Sequence, residues 1–173
     1  MRDGVDSDFR DWALSRRGGL RRTAFLLSGD WYLADDLVQE TLTRLFSVWQ
    51  RVAKSGDPDA YARRVLLNLY LDHRRRPARR EQPRADLPDR VAVEPDEVGN
   101  RDQLIAALRR VPPGQRAVLV LRFWEDLSVE QTAQALNTGT GNVKSQTSRG
   151  LVALREALGG QGLPDLLTVQ EQS

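Results

Sequence analysis

The 173-residue chain has no cysteine and only one histidine, His73. The first absence excludes disulfides, thiolate chemistry and cysteine-based zinc sites; the second leaves no His-rich metal cluster and no catalytic dyad. No apolar run approaches the roughly 20 residues needed to cross a bilayer. The opening residues MRDGVDSDFR are acidic and polar, where a secretory signal is basic and then apolar. The expectation is a soluble, cytoplasmic protein without metal or cofactor. No segment alternates convincingly at the strand period, so the expected fold is all-α. With a hydrophobic fraction of 40%, the length suffices for one domain or two small ones, each near the lower size limit for a stable core.

The formal net charge is only +2, but charge is segregated along the chain. RRRPARREQPR, from Arg74 to Arg84, carries six arginines against one glutamate. DLPDRVAVEPDEVGNRD, from Asp86 to Asp102, carries six acids against two arginines. Both stretches contain proline and little apolar periodicity, which marks a linker between two helical lobes. The boundaries read as a first lobe over 1–76, a linker over 77–96, a second lobe over 97–158 and a flexible, glycine-rich tail over 159–173.

Upstream of the linker, Phe9, Trp12, Ala13, Leu20, Ala24 and Leu27 recur at helical spacing, with Gly18-Gly19 weakening the middle. A second helix spans about Tyr32 to Val52, with Val38, Leu42, Leu45, Trp49 and Val52 on one face. Asp57 caps a third helix that starts at Pro58 and runs to the arginines before Pro77. Downstream, helices are expected at about 97–111, 113–125, 128–136 and 140–158.

The last two helices carry a specific pattern. Ser128 followed by Gln131 forms a capping box, so one helix starts at Val129. Ala133 leaves room for a crossing helix, and Asn137 suits the left-handed residue that ends the first. Val143, Thr147, Gly150 and Leu154 then share a buried face. Asn142, Lys144, Ser145, Ser148 and Arg149 are left outside, as short donors and acceptors flanked by cations. That row suits base edges and phosphates in a major groove, the geometry of a helix-turn-helix recognition helix. Spacing alone also fits a plain αα-hairpin with a solvated polar face.

The wider string VPPGQRAVLVLRFWEDLSVEQTAQALNTGTGNVKSQTSRGLVALRE resembles region 4 of bacterial extracytoplasmic-function sigma factors. ADDLVQETLTRLFSVW is similar to region 2.2 of the same family, and DAYARRVLLNLYLDHRRR to its regions 2.3 and 2.4. The wording VKSQTSRGLVALRE is similar to that of an actinobacterial, SigE-like subgroup. The resemblance covers roughly residues 8–158, with three motifs in family order.

The resemblance implies a transcription initiation factor whose partners are core RNA polymerase, promoter DNA and, in many members, an anti-sigma factor. It places polymerase docking on Asp36, Gln39, Glu40 and Arg44; read without it, they form an ordinary solvated helix face. It places reading and opening of the −10 element on Tyr61, Asn68, Arg74, Arg75 and Arg76, and reading of the −35 element on the outer row of the last helix. Many relatives have Trp where this chain has Tyr61, which is equally a half-buried packing residue. Asp35, Asp36 and Glu40 resemble a metal cluster only in composition, lacking the histidine or ordered loop usual beside such sites. In the turn, Asn137-Thr138-Gly139 replaces the common Gly, apolar residue and Ser. Gly139 has no side chain to cap with, which leaves that role to Thr140.

The rival reading is a helix-turn-helix regulator that binds duplex DNA without polymerase. The basic third helix with Tyr61 and Asn68 separates the two, because a duplex binder needs no single-strand platform. A linker of about 20 residues reaches at most roughly 70 Å but averages about 22–27 Å as a coil. Two promoter elements separated by two helical turns lie roughly 70 Å apart. A scaffold must hold the lobes there, and the family uses core polymerase.

Overall fold

The computed structural model describes residues 2–76 and 95–160, with side chains over 4–76 and 101–160. Among these residues every regular element is helical, and the chain divides into two units, Met1–Arg75 and Arg76–Ser173. The expected linker, apart from its last two residues, and the expected tail, apart from its first two, lie outside the described residues.

The first unit is a three-helix bundle of α1 (Arg2–Ser28), α2 (Trp31–Ser55) and α3 (Pro58–Arg75), each packed on the other two. α1 continues through Gly18-Gly19 without a break, because packed residues lie on both sides of the pair. Phe9 meets Trp49 edge-on and Trp12 meets it tilted, each with its ring centroid 5.3 Å away, and Ala24 and Leu27 are fully buried further along. Asp30 caps α2 by accepting from the Tyr32 and Leu33 N–H groups at 2.8 and 3.3 Å. Its buried row is Ala34, Leu37, Val38, Thr41, Leu45, Trp49 and Val52. Leu42, expected inside, is only half-buried, since Leu37 and Thr41 occupy the centre of the inner face. Gly56 ends α2 at φ 85, a conformation open to glycine at no steric cost. Asp57 then accepts from Ala60 N–H at 2.9 Å to start α3.

A polar clamp joins α1 to the start of α3. Trp12 Nε1 donates to Asp59 Oδ1 at 3.0 Å, and Arg16 pairs with Asp59 Oδ2 at 2.9 Å. Asp59→Ala leaves a half-buried indole N–H without this acceptor, an expected loss of about 1–2 kcal/mol. Thermal unfolding followed by tryptophan fluorescence measures it; an unchanged midpoint would show the clamp to be idle.

The second unit contains α4 (Pro95–Arg110), α5 (Pro113–Leu119), α6 (Val129–Leu136) and α7 (Thr140–Ala157). α4, α5 and α6 all pack on α7. Arg116, only 3% exposed, donates to the carbonyls of Arg109 and Val111 at 2.7 and 2.9 Å. It thereby satisfies acceptors that the end of α4 leaves without intrahelical partners. The helix expected over 113–125 is α-helical only to Leu119. Val120–Trp124 widens into a π-helical turn, in which Glu125 N–H reaches back five residues to the Val120 carbonyl at 3.0 Å. The Arg122 guanidinium closes the following loop onto the Leu127 carbonyl.

Candidate nucleic-acid interface

Local chemistry fixes how α7 is presented. Ser128 and Gln131 form the reciprocal capping box of α6, with bonds of 3.0 and 2.9 Å. Asn137 ends α6 in the left-handed region at φ 51, ψ 52. The chain reverses over two residues and α7 begins. The N-cap of α7 is Gly139, without a side-chain hydrogen bond. Thr140, expected as the cap, is instead the first helical residue. With Gly139 extended, at φ −82 and ψ 154, the helix is already entered at Thr140.

Val118, Ala133 and Val143 form the small core under the turn, with Val129 and Leu136 packed against it. Val143 and Leu154 are buried with Gly150 between them. Thr147 is half-buried and turns its hydroxyl back to the Val143 carbonyl at 2.7 Å. A Cβ on Gly150 would stand 3.1–3.3 Å from three Leu119 carbons, so α5 and α7 approach closely there.

This packing leaves Asn142, Lys144, Ser145, Ser148 and Arg149 exposed. At about 100° per residue, Ser145, Ser148 and Arg149 lie within roughly 100° opposite the buried row. Asn142 and Lys144 flank them on opposite sides. Asn142 Nδ2 also donates to Thr138 Oγ1 in the turn at 2.9 Å.

In the first unit, Asp36, Gln39, Glu40 and Arg44 all lie exposed on α2, with Glu40 and Arg44 paired at 2.6 Å. Two aromatics not singled out in the sequence, Tyr32 at 55% and Phe46 at 50% exposure, stand on this outer row. Their spacing of four, three, four and three from Tyr32 through Asp36, Gln39 and Thr43 to Phe46 was readable; their exposure was not. Asp35 is bound by Arg21 through contacts of 2.6 and 3.3 Å. Arg21 also lies 4.2 Å from the Trp31 ring centre, and Trp31 stacks on Phe25 at 3.9 Å. Among the described residues no three His, Asp or Glu side chains form a metal-binding group.

On α3, Asn68 is exposed, whereas Tyr61 is half-buried against Leu45, Trp49, Val52 and Ala62. Arg74 is half-buried; Arg75 and Arg76 are exposed at the helix end. These cations also complement the negative end of the α3 dipole.

Comparisons with known proteins cover both units. Residues 12–80 match sigma-70 region 2, and residues 101–154 match sigma-70 region 4. The chain is 38% identical over 159 residues to the RNA polymerase sigma-E factor of Streptomyces antibioticus, covering 91% of this chain and 88% of that one. It is 36% identical over 145 residues to the ECF RNA polymerase sigma factor SigE of Mycolicibacterium smegmatis, covering 79% of this chain and 56% of that one. Among solved structures, the sigma factor RpoE in complex with the anti-sigma factor NepR from Bartonella quintana aligns with TM-score 0.70 and 26% identity, over 90% of this chain and 99% of that one. With both regions matched in order and identity sustained over nine-tenths of its length, the chain belongs to the extracytoplasmic-function group of sigma-70 family RNA polymerase sigma factors.

Proposed function

We propose that the two units divide the work of a transcription initiation factor. Residues 1–76 bind core RNA polymerase through the Asp36, Gln39, Glu40 and Arg44 face of α2, and open the −10 element with Tyr61, Asn68 and the Arg74, Arg75, Arg76 helix end. Residues 97–158 read the −35 element with Asn142, Lys144, Ser145, Ser148 and Arg149. The chain acts in the cytoplasm as a non-enzymatic factor: it makes and breaks no bond itself. The observation that carries this reading is the occurrence of regions 2 and 4 in order on one chain. An anti-sigma factor is a further proposed partner, on the likeness to RpoE held by NepR.

The function is tested with purified core polymerase on a pool of promoter fragments. Transcripts that depend on the added chain are expected. DNA binding without core, and no transcripts with it, would favour the stand-alone regulator.

Two measurements test the faces. Exchanging the paired charges, Glu40→Arg with Arg44→Glu, keeps an intrahelical ion pair but inverts what the partner meets. Core affinity is expected to fall about ten-fold, since misplaced interface charges cost several kcal/mol at most. Stability should change by no more than about 0.5 kcal/mol. Retention on core at the wild-type level, with an unchanged dichroism spectrum, would remove this face from docking. Arg149→Ala is expected to weaken promoter binding by the holoenzyme; if Arg149 contacts a phosphate, the loss is uniform across −35 sequences and lowers the salt slope by about one. A full set of unaltered affinities would mean that Arg149 does not touch DNA.

A further inference from the structure

The outer side of α3 sorts its charges onto two edges. With Asn68 as the middle of the row, Arg64 and Arg75 lie roughly 40° and 20° to one side of it, and Tyr61 and Asp72 roughly 20° and 40° to the other. Arg64, Asn68, Asp72 and Arg75 are exposed, and Tyr61 is half-buried. Arg74, half-buried, is turned away from Asn68 by about 120°. One edge therefore carries two exposed cations, about 16 Å apart along the helix. The other carries the aromatic ring and Asp72, the only carboxylate between Tyr61 and Arg75. The residues three and four positions before and after Arg64 are Tyr61, Ala60, Leu67 and Asn68, so no helical neighbour supplies it with a carboxylate. Arg44, by contrast, is paired with Glu40 at 2.6 Å.

We infer that Arg64 is a further DNA-contact residue, which binds a phosphate of the opened −10 strand and sets the strand's backbone along the Arg64–Arg75 edge, with the bases turned across the helix toward Asn68 and Tyr61. The inference rests on the reading of α3 as the −10 platform. Charge decides the side. A backbone on the opposite edge would bring phosphates against Asp72, where like charges repel, whereas on this edge each phosphate meets a guanidinium suited to its oxygens. Spacing decides the place. Tyr61 and Asn68 stand about 10 Å apart along the helix, against the 3.4 Å or so per phosphate of a duplex strand. Bases held at both are not stacked neighbours, so the strand is drawn out along α3, and the backbone joining them passes Arg64, which lies between the two. Arg64 thus acts on the separated strand, while the arginines at the helix end attract phosphates of duplex and single strand alike.

The test uses holoenzyme assembled from the full chain and core polymerase, on a promoter whose −10 bases are already unpaired, and reads affinity as a function of salt. Arg64→Ala is expected to bind about ten-fold more weakly, the scale of one charged hydrogen bond, with a salt slope lower by about one. Arg64→Lys keeps the charge and should keep the slope, within about three-fold of wild-type affinity. Asp72 separates a local contact from the overall field, since it lies about 12 Å along the helix from Arg64, beyond the Debye length of about 8 Å at physiological salt. If only net charge counted, Arg64→Ala combined with Asp72→Ala would recover wild-type affinity. With the backbone on the Arg64 edge, the double variant stays within about three-fold of Arg64→Ala. Full recovery in the double variant, wild-type affinity of Arg64→Ala, or a loss that follows a lowered unfolding midpoint and is not restored by lysine would overturn the inference. So would a ten-fold gain from Asp72→Ala alone, which would put the backbone on the opposite edge. Asn68→Ala, scored for opening of the duplex promoter, separates the two levels. If it impairs opening while Arg64→Ala binds as wild type, only the inference fails; if neither has an effect, the assignment of α3 to the −10 element fails.

Discussion

Gly150→Val is expected to destabilise the second unit by about 2–3 kcal/mol, the cost of forcing extra methyl groups into a filled core. For a unit of this size, that lowers the unfolding midpoint by roughly 10–20 °C. The cause is local. A single Cβ at Gly150 already meets Leu119 Cγ, Cδ1 and Cδ2 at 3.1, 3.2 and 3.3 Å, and Leu119 is 3% exposed, so its side chain has little room to retreat. Gly150→Ala is the graded comparison. It gains about 1 kcal/mol in helix propensity against a milder contact, so its net effect should be much smaller. In a Leu119→Ala background the valine substitution should cost at least about 1 kcal/mol less, the coupling expected of residues in direct contact. Thermal unfolding of all four proteins completes the cycle, and strictly additive losses would refute the close crossing. Because Ser148 and Arg149 immediately precede the contact, Gly150→Val should also impair −35 binding while leaving docking by the first unit intact.

That contact marks one boundary of what the sequence makes legible. Helix ends written in side-chain chemistry are readable in advance: the Ser128–Gln131 box, the left-handed Asn137 and the Asp57–Pro58 start all depend on residues within a few positions of one another. The buried row of α7 follows from its own periodicity, and its exposed row is what remains. Distances between helices leave no such local trace. Gly150 reads as a small residue on an inner face, but that it lies against Leu119 depends on how α5 crosses α7. The bond from Trp12 to Asp59 joins residues 47 positions apart. Leu42 has the same apolar character as Leu37, and only the rotation of α2 in the bundle decides which is inside. Gly139 rather than Thr140 capping α7, and the π-helical turn before α6, are backbone outcomes that residue type alone does not determine. In the candidate site, exposure agrees with the proposed roles except at Tyr61 and Arg74, which are half-buried.

The partial burial of Tyr61 sharpens the second large effect, on promoter opening. Asn68→Ala in the holoenzyme is expected to reduce open complexes about ten-fold on a duplex promoter and much less on one whose −10 bases are already unpaired. Tyr61 and Asn68 lie seven residues apart, about 10 Å along one side of α3, with the exposed Arg75 and Arg76 at the following helix end. An aromatic ring that captures an unstacked base contributes about 1–3 kcal/mol, and a carboxamide can bond its edge. Both gains exist only once the strand is open, whereas the arginines attract phosphates in either form. Asn68 is exposed, so its truncation should leave unfolding unchanged and isolate the DNA contact. Tyr61→Ala removes two things together: packing on Leu45, Trp49, Val52 and Ala62, and any stacking surface left outside. Tyr61→Phe keeps both, and should restore opening to near the wild-type level. Permanganate reactivity of −10 thymines on duplex and pre-opened templates, measured beside thermal unfolding, separates these contributions. Loss with Tyr61→Ala that persists on the pre-opened template and scales only with lost stability would assign Tyr61 to the core. Equal opening by wild type and Asn68→Ala would remove α3 from −10 recognition.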